Sequence, residues 1–154
     1  MIFLTVGTTK FPFNRLLKAV DEALVEIGLE EELIVQVGVS NYRFQYSKAK
    51  VFKEIPFYKM IEFFKKARVV LTHGGPATIF LALKYGKNRP LVVPRLSIFK
   101  EHVNNHQVIF AKDLSRRNLI KVLLPEENLI EGMINYLKNP EKSEKRRDLR
   151  PSSK

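Results

Sequence analysis

Residues 69–78 read Val69-Val70-Leu71-Thr72-His73-Gly74-Gly75-Pro76-Ala77-Thr78. An apolar run passes through two glycines into a proline, and Ile79, Phe80, Ala82 and Leu83 follow before Tyr85-Gly86. This pattern predicts a buried strand, a tight turn and a helix, because proline suits the first helical position. The same unit recurs on both sides. Ile2-Phe3-Leu4-Thr5-Val6 ends at Gly7-Thr8-Thr9, and Leu16, Leu17, Val20, Leu24 and Ile27 then mark one helical face that stops at Gly28. Leu33-Ile34-Val35-Gln36-Val37 ends at Gly38, Val51-Phe52 begins a short third strand, and Pro56 precedes a helix carrying Met60, Ile61, Phe63 and Phe64. Further on, Leu91-Val92-Val93-Pro94 is a strand, followed by a helix through His106 to Leu114. A weak strand over 119–122 and a helix from about Glu126 to Leu137 complete the pattern. Continuous apolar strands alternating with helices predict an α/β fold, a Rossmann-like doubly wound parallel sheet covered on both faces. Ligands of such sheets sit beyond the carboxyl ends of the strands. The loops after Val6, Val37, Leu71 and Val93 are therefore the candidate site.

A length of 154 residues suits one ordinary domain. Hydrophobic residues at 45% beside 28% charged ones describe a folded chain, not a disordered one. The 27 Lys and Arg against 16 Asp and Glu leave +11, which points to anionic partners: phosphates, nucleic acid or a membrane surface. With no cysteine there is no disulfide framework, thiolate nucleophile or zinc ribbon, as fits a cytosolic protein. No stretch approaches the roughly 20 apolar residues of a membrane-spanning helix. The start lacks the basic region of a signal peptide. Residues 1–140 read as the domain. Residues 141–154 hold six basic and three acidic side chains, and read as a basic, flexible tail.

Three loops could carry chemistry. In 72–78, glycines allow backbone to approach a ligand, and a helix start offers unpaired N–H groups, so a diphosphate would sit well there with Thr78 adding a hydroxyl. A plain turn capped by Thr72 or Thr78 is the alternative. Neither the dinucleotide fingerprint nor the P-loop is present. Gly7-Thr8-Thr9 is a second hydroxyl-rich loop, equally readable as a helix cap. Arg95 through Glu101, His102, His106 and Gln107 form a third, polar segment after a strand. The spacing His102…His106 raises metal binding, but the zincin order is absent and no third ligand is evident. Hydrogen bonding to a polyhydroxylated ligand suits these side chains better. Asp21, Glu22, Glu26 and Glu30 to Glu32 read as the solvated face of the first helix. The aromatics among the lysines read as core beside ordinary surface, with nucleic-acid binding as the alternative.

In this order, the loops resemble the C-terminal, donor-binding half of glycosyltransferase family 28, especially its small stand-alone subunits. The matching residues are Val6-Gly7-Thr8-Thr9 with Phe11, Gln36-Val37-Gly38, 67–78, 86–95, Glu101-His102 and His106-Gln107. The resemblance implies half of a GT-B transferase that uses a UDP-sugar with inversion and needs neither cofactor nor metal. It implies a sugar-nucleotide site made of Gly7, Thr8, Thr9, His73, Gly74, Gly75, Pro76, Ala77 and Thr78, with Arg95, Glu101, His102, His106 and Gln107 contributing to it. It also implies a separate membrane-attached subunit that binds a lipid-linked sugar acceptor and supplies the general base. The chain would then be cytoplasmic and peripheral to the membrane, and no nucleic acid is expected as a partner. Two positions depart from the family pattern. Leu81 stands where many relatives carry a glutamate for the ribose hydroxyls, which leaves Glu101 as a candidate replacement, and Pro76 stands where some have a small or hydroxylated residue. The competing readings are an epimerase-like enzyme acting on nucleotide sugars and a basic nucleic-acid-binding module.

Overall fold

The apolar runs become six parallel strands: β1 (Ile2–Thr5), β2 (Leu33–Gln36), β3 (Ala49–Phe52), β4 (Val69–His73), β5 (Leu91–Val93) and β6 (Lys121–Val122). They form one sheet in the order β3-β2-β1-β4-β5-β6. This computed structural model describes residues 1–143. The chain winds outward from β1 to β3, crosses back to β4, and winds outward again, so the topological switch lies between β1 and β4. Ile2 and Leu4 pack with α1 (Asn14–Ile27) and α5 (Leu129–Lys138) on one face. Phe3 points the other way, into a cluster under α2 (Phe57–Lys66) and α3 (Pro76–Tyr85). Beside it, Val92 and Val122 pack against Ile79 of α3 and Ala111 and Leu114 of α4 (His106–Arg116). Coverage of both faces is why β1 and β4 are buried at every position and do not alternate. Edge strand β3 is the exception, with Lys50, Val51 and Phe52 exposed.

Local chemistry sets the helix ends. Gly28 closes α1 at a φ of 75°, its N–H returning to the Leu24 carbonyl at 3.1 Å. Helix α5 starts at Leu129, not near Glu126, because the Asn128 side chain accepts the Glu131 N–H at 3.0 Å.

Two acidic residues expected on the solvated helix face are not there. Asp21 is 1% exposed and accepts hydrogen bonds from the Tyr42 hydroxyl at 2.6 Å and from the Gln45 and Tyr46 N–H groups at 2.9 Å. No helix links β2 to β3, and this carboxylate organises the irregular connection that takes its place. Glu31 pairs with Arg68 at 2.8 Å. At the far end Arg89 donates its N–H to the Glu141 carbonyl at 2.8 Å, and Lys142 forms a bridge with Asn88, so 141 and 142 attach to the domain. The rest of the expected basic tail, from residue 144, lies outside the described residues. Among the described residues no helix is long and apolar enough to cross a membrane.

Candidate functional site

At the switch point a cleft of about 380 Å³ opens between the loops after β1 and β4. Gly7, Thr8, Thr9, His73, Gly75, Pro76, Ala77 and Thr78 all line it, so eight of the expected residues meet across 60 or more positions of sequence. Helix α3 begins here with Gly75 as its N-cap, no side-chain cap and no acidic residue in its first turn. The N–H groups of Ala77 and Thr78, at the second and third helical positions, have no intrahelical acceptor, and the helix dipole adds partial positive charge. Pro76 removes only an N–H that the helix would not use. The floor is a polar row in register across Gln36, Thr5 and Thr72. The Thr5 hydroxyl donates to Gln36 Oε1 and accepts the Gly7 N–H at 3.2 Å, which stiffens the first loop. The Thr72 hydroxyl is buried without a partner among the described residues.

His73 is the group that gives the cleft its chemistry. It is 4% exposed, and its Nδ1 accepts from Arg95 Nε at a long 3.5 Å. Burial, reinforced by the charges of Arg95 and His102, pulls its pKa down to about 3. The imidazole is therefore neutral near pH 7. Its buried Nε2 has no partner among the described residues. The glycines explain how the ring fits: a Cβ at Gly7 would lie 2.7 Å from Nε2, and one at Gly75 would lie 3.0 Å from Nε2 and press on Cε1. Any larger residue at either position would displace the ring.

The remaining expected contacts sit one layer back. The Arg95 guanidinium is 0% exposed and turns inward to the Phe11 carbonyl at 2.9 Å, the Glu101 carbonyl at 3.0 Å and the Val6 carbonyl. It lies 4.8 Å from the Phe13 ring, and burial pulls its pKa down to about 10 against the upward pull of Glu101. The Glu101 carboxylate accepts from Arg15 Nε and Nη2, both at 2.9 Å, and from the Leu96 N–H at 3.0 Å. It is thus committed to Arg15 and the Leu96 N–H and does not line the cleft, while Leu81 packs against the cluster around Phe3. Gln107 Oε1 accepts the Gly74 N–H at 2.9 Å and the Arg95 N–H at 3.0 Å, which spends the Gly74 donor internally. His102 stacks on Phe11 at 6.2 Å, and His106 is exposed at the first position of α4. Because α4 starts at His106, the two histidines do not share a helical face. Among the described residues no three His, Cys, Asp or Glu side chains group as a metal site.

Gln36, Ile55, Phe57 and Met60 also line the cleft. Helical periodicity places Met60 on an apolar helix face, and nothing in it marks Met60 or Phe57 as cleft residues. The useful signal was position: both lie in the first turns after the carboxyl end of β3. They give the cleft an apolar wall opposite the polar glycine loops.

Fold and cleft together define a Rossmann-like α/β domain with its cleft at the topological switch point. More specifically, the chain belongs to the glycosyltransferase family 28 C-terminal domain, whose family model matches residues 1–153. No curated protein matches it in sequence. Among solved structures, the glycotransferase of kitacinnamycin is similar at 15% identity and a TM-score of 0.66, over 89% of this chain and 34% of that one. The glycosyltransferase SnogD from Streptomyces nogalater is similar at 15% identity and a TM-score of 0.54, over 89% of this chain and 38% of that one. The chain thus spans little more than a third of either relative, and at this identity the likeness concerns the fold.

Proposed function

We propose that this chain is the sugar-donor-binding part of an inverting glycosyltransferase that takes a UDP-sugar. The single observation that carries this reading is the set of unsatisfied hydrogen-bond donors at the switch-point cleft: the uncapped start of α3 beside the buried, unpartnered Nε2 of His73. A diphosphate would accept from the Ala77 and Thr78 N–H groups and from neutral His73. The apolar wall of Ile55, Phe57 and Met60 suits the nucleobase. As the sugar–phosphate bond breaks, negative charge grows on the leaving diphosphate, where preorganised donors stabilise it without reorganising.

Among the described residues no carboxylate lines the cleft. His73 is unsuited to act as the general base, with its Nδ1 engaged and its pKa near 3. The base that takes the acceptor's proton therefore comes from outside this cleft. This supports a membrane-attached partner subunit holding a polyprenol-linked acceptor for polysaccharide or glycan synthesis. The +11 charge suits an anionic membrane surface or partner, and the chain would work at the cytoplasmic side.

Calorimetric titration and melting with UDP and UDP-sugars test this. At 100 times Kd the nucleotide should stabilise the fold by about 2.7 kcal/mol, raising Tm by roughly 5–10 °C. An unchanged Tm at millimolar UDP and UDP-sugar would refute the reading. Turnover of free UDP-sugar without any acceptor would favour an epimerase-type activity instead.

A further inference from the structure

We infer that Arg95 is a positioning residue: it fixes His73 in the tautomer that carries its proton on Nε2, and in the same gesture ties the loop after β1 to the loop after β5. The inference rests on the nucleotide-binding reading of the cleft for its purpose, but not for its geometry. A guanidinium can only donate. The His73 nitrogen that faces Arg95 Nε must therefore be an acceptor, and the single proton of the neutral ring falls on the other nitrogen. That nitrogen is the one left unpartnered, between Gly7 and Gly75. The rest of the fork is used just as fully. Nη2 donates to the Val6 carbonyl, immediately before Gly7, while Nη1 donates to Phe11 at 2.9 Å and Glu101 at 3.0 Å.

The choice of side chain supports the assignment. Among the described residues no carboxylate salt-bridges the Arg95 guanidinium, because the Glu101 carboxylate turns to Arg15. A fully buried cation held by carbonyls and one imidazole is a costly way to fill space, and an apolar residue of similar volume would fill it with less desolvation. What the guanidinium adds is direction: rigid donors aimed at acceptors in the loop after β1, on β4 and in the loop after β5. A lysine would keep the charge but not the fork.

The test is long-range ¹⁵N–¹H NMR of the histidine rings in the full chain, between pH 6 and 8, with and without UDP. In the wild type we expect His73 to show the Nε2–H tautomer throughout, with the Nε2 signal moving when UDP is added. An Nδ1–H tautomer or an imidazolium in the wild type would overturn the inference without any variant being needed. Arg95→Lys should shift His73 to a tautomer mixture and raise the Kd for UDP about tenfold. A variant with a native-like backbone spectrum that keeps wild-type His73 signals would also overturn it. If Arg95→Lys does not fold, the wild-type measurement decides. Should His73 show the expected tautomer while UDP moves no signal, the Arg95 assignment stands and the nucleotide reading falls.

Discussion

Two loop clusters crown the same end of the sheet, and both offer polar groups to it. Around Gly7 and 73–78, the buried Nε2 of His73, the Thr72 hydroxyl and the first N–H groups of α3 have no protein partner in the described structure. Around Arg95, Glu101 and Gln107, every buried polar group that the sequence offered as a ligand contact is spent on the protein itself. Unsatisfied buried donors mark a place for a ligand, whereas saturated ones mark a frame. Under the proposed function the first cluster is the binding surface and the second its scaffold, so their variants should fail in different ways.

The largest effect should come from the scaffold. Arg95→Met leaves the Phe11, Glu101 and Val6 carbonyls without their donor, and each buried acceptor left unpaired costs about 1–3 kcal/mol. We expect Tm to fall by roughly 10 °C in differential scanning calorimetry. On the binding side, Gly75→Ala should raise the Kd for UDP about 100-fold, or about 2.7 kcal/mol, with a smaller loss of Tm. Equal losses of Tm in the two variants would erase the distinction between the clusters.

His73 supplies a pH test. Its folded pKa of about 3 lies below the ordinary 6.5, so below pH 6.5 the unfolded chain binds a proton that the folded one does not. Its contribution to stability is complete above pH 6.5 and declines toward pH 3, at about 1.4 kcal/mol per unit. Relative to His73→Gln, the wild type should lose about 2 kcal/mol more between pH 7 and pH 5 in urea melts. Parallel profiles would mean that His73 is not held neutral. The smallest effect belongs to His106→Ala, which should change stability by less than about 0.5 kcal/mol because the side chain is exposed.

Much of this was legible in the sequence, for identifiable reasons. Strands and helices show because a doubly covered parallel sheet writes itself as uninterrupted apolar runs, as in Ile2 to Val6. The cleft shows because glycines and a proline at strand ends are local signals. What did not show is pairing. Arg95 meets Val6 across 89 positions and Glu101 meets Arg15 across 86, and nothing local tells a residue facing a ligand from one facing a distant carbonyl. Asp21 hid for the same reason: its partners are backbone N–H groups of a loop without a sequence pattern of its own.

The most direct measurement is a ¹H–¹⁵N titration of the labelled chain with UDP. Binding at the switch-point cleft predicts the largest shifts at the amides of Gly7, Thr8, Thr9, Ala77 and Thr78, with lesser ones at Glu101 and Gln107. Absence of shifts at millimolar UDP, or shifts centred on 101–107 with 77 and 78 unmoved, would contradict the account.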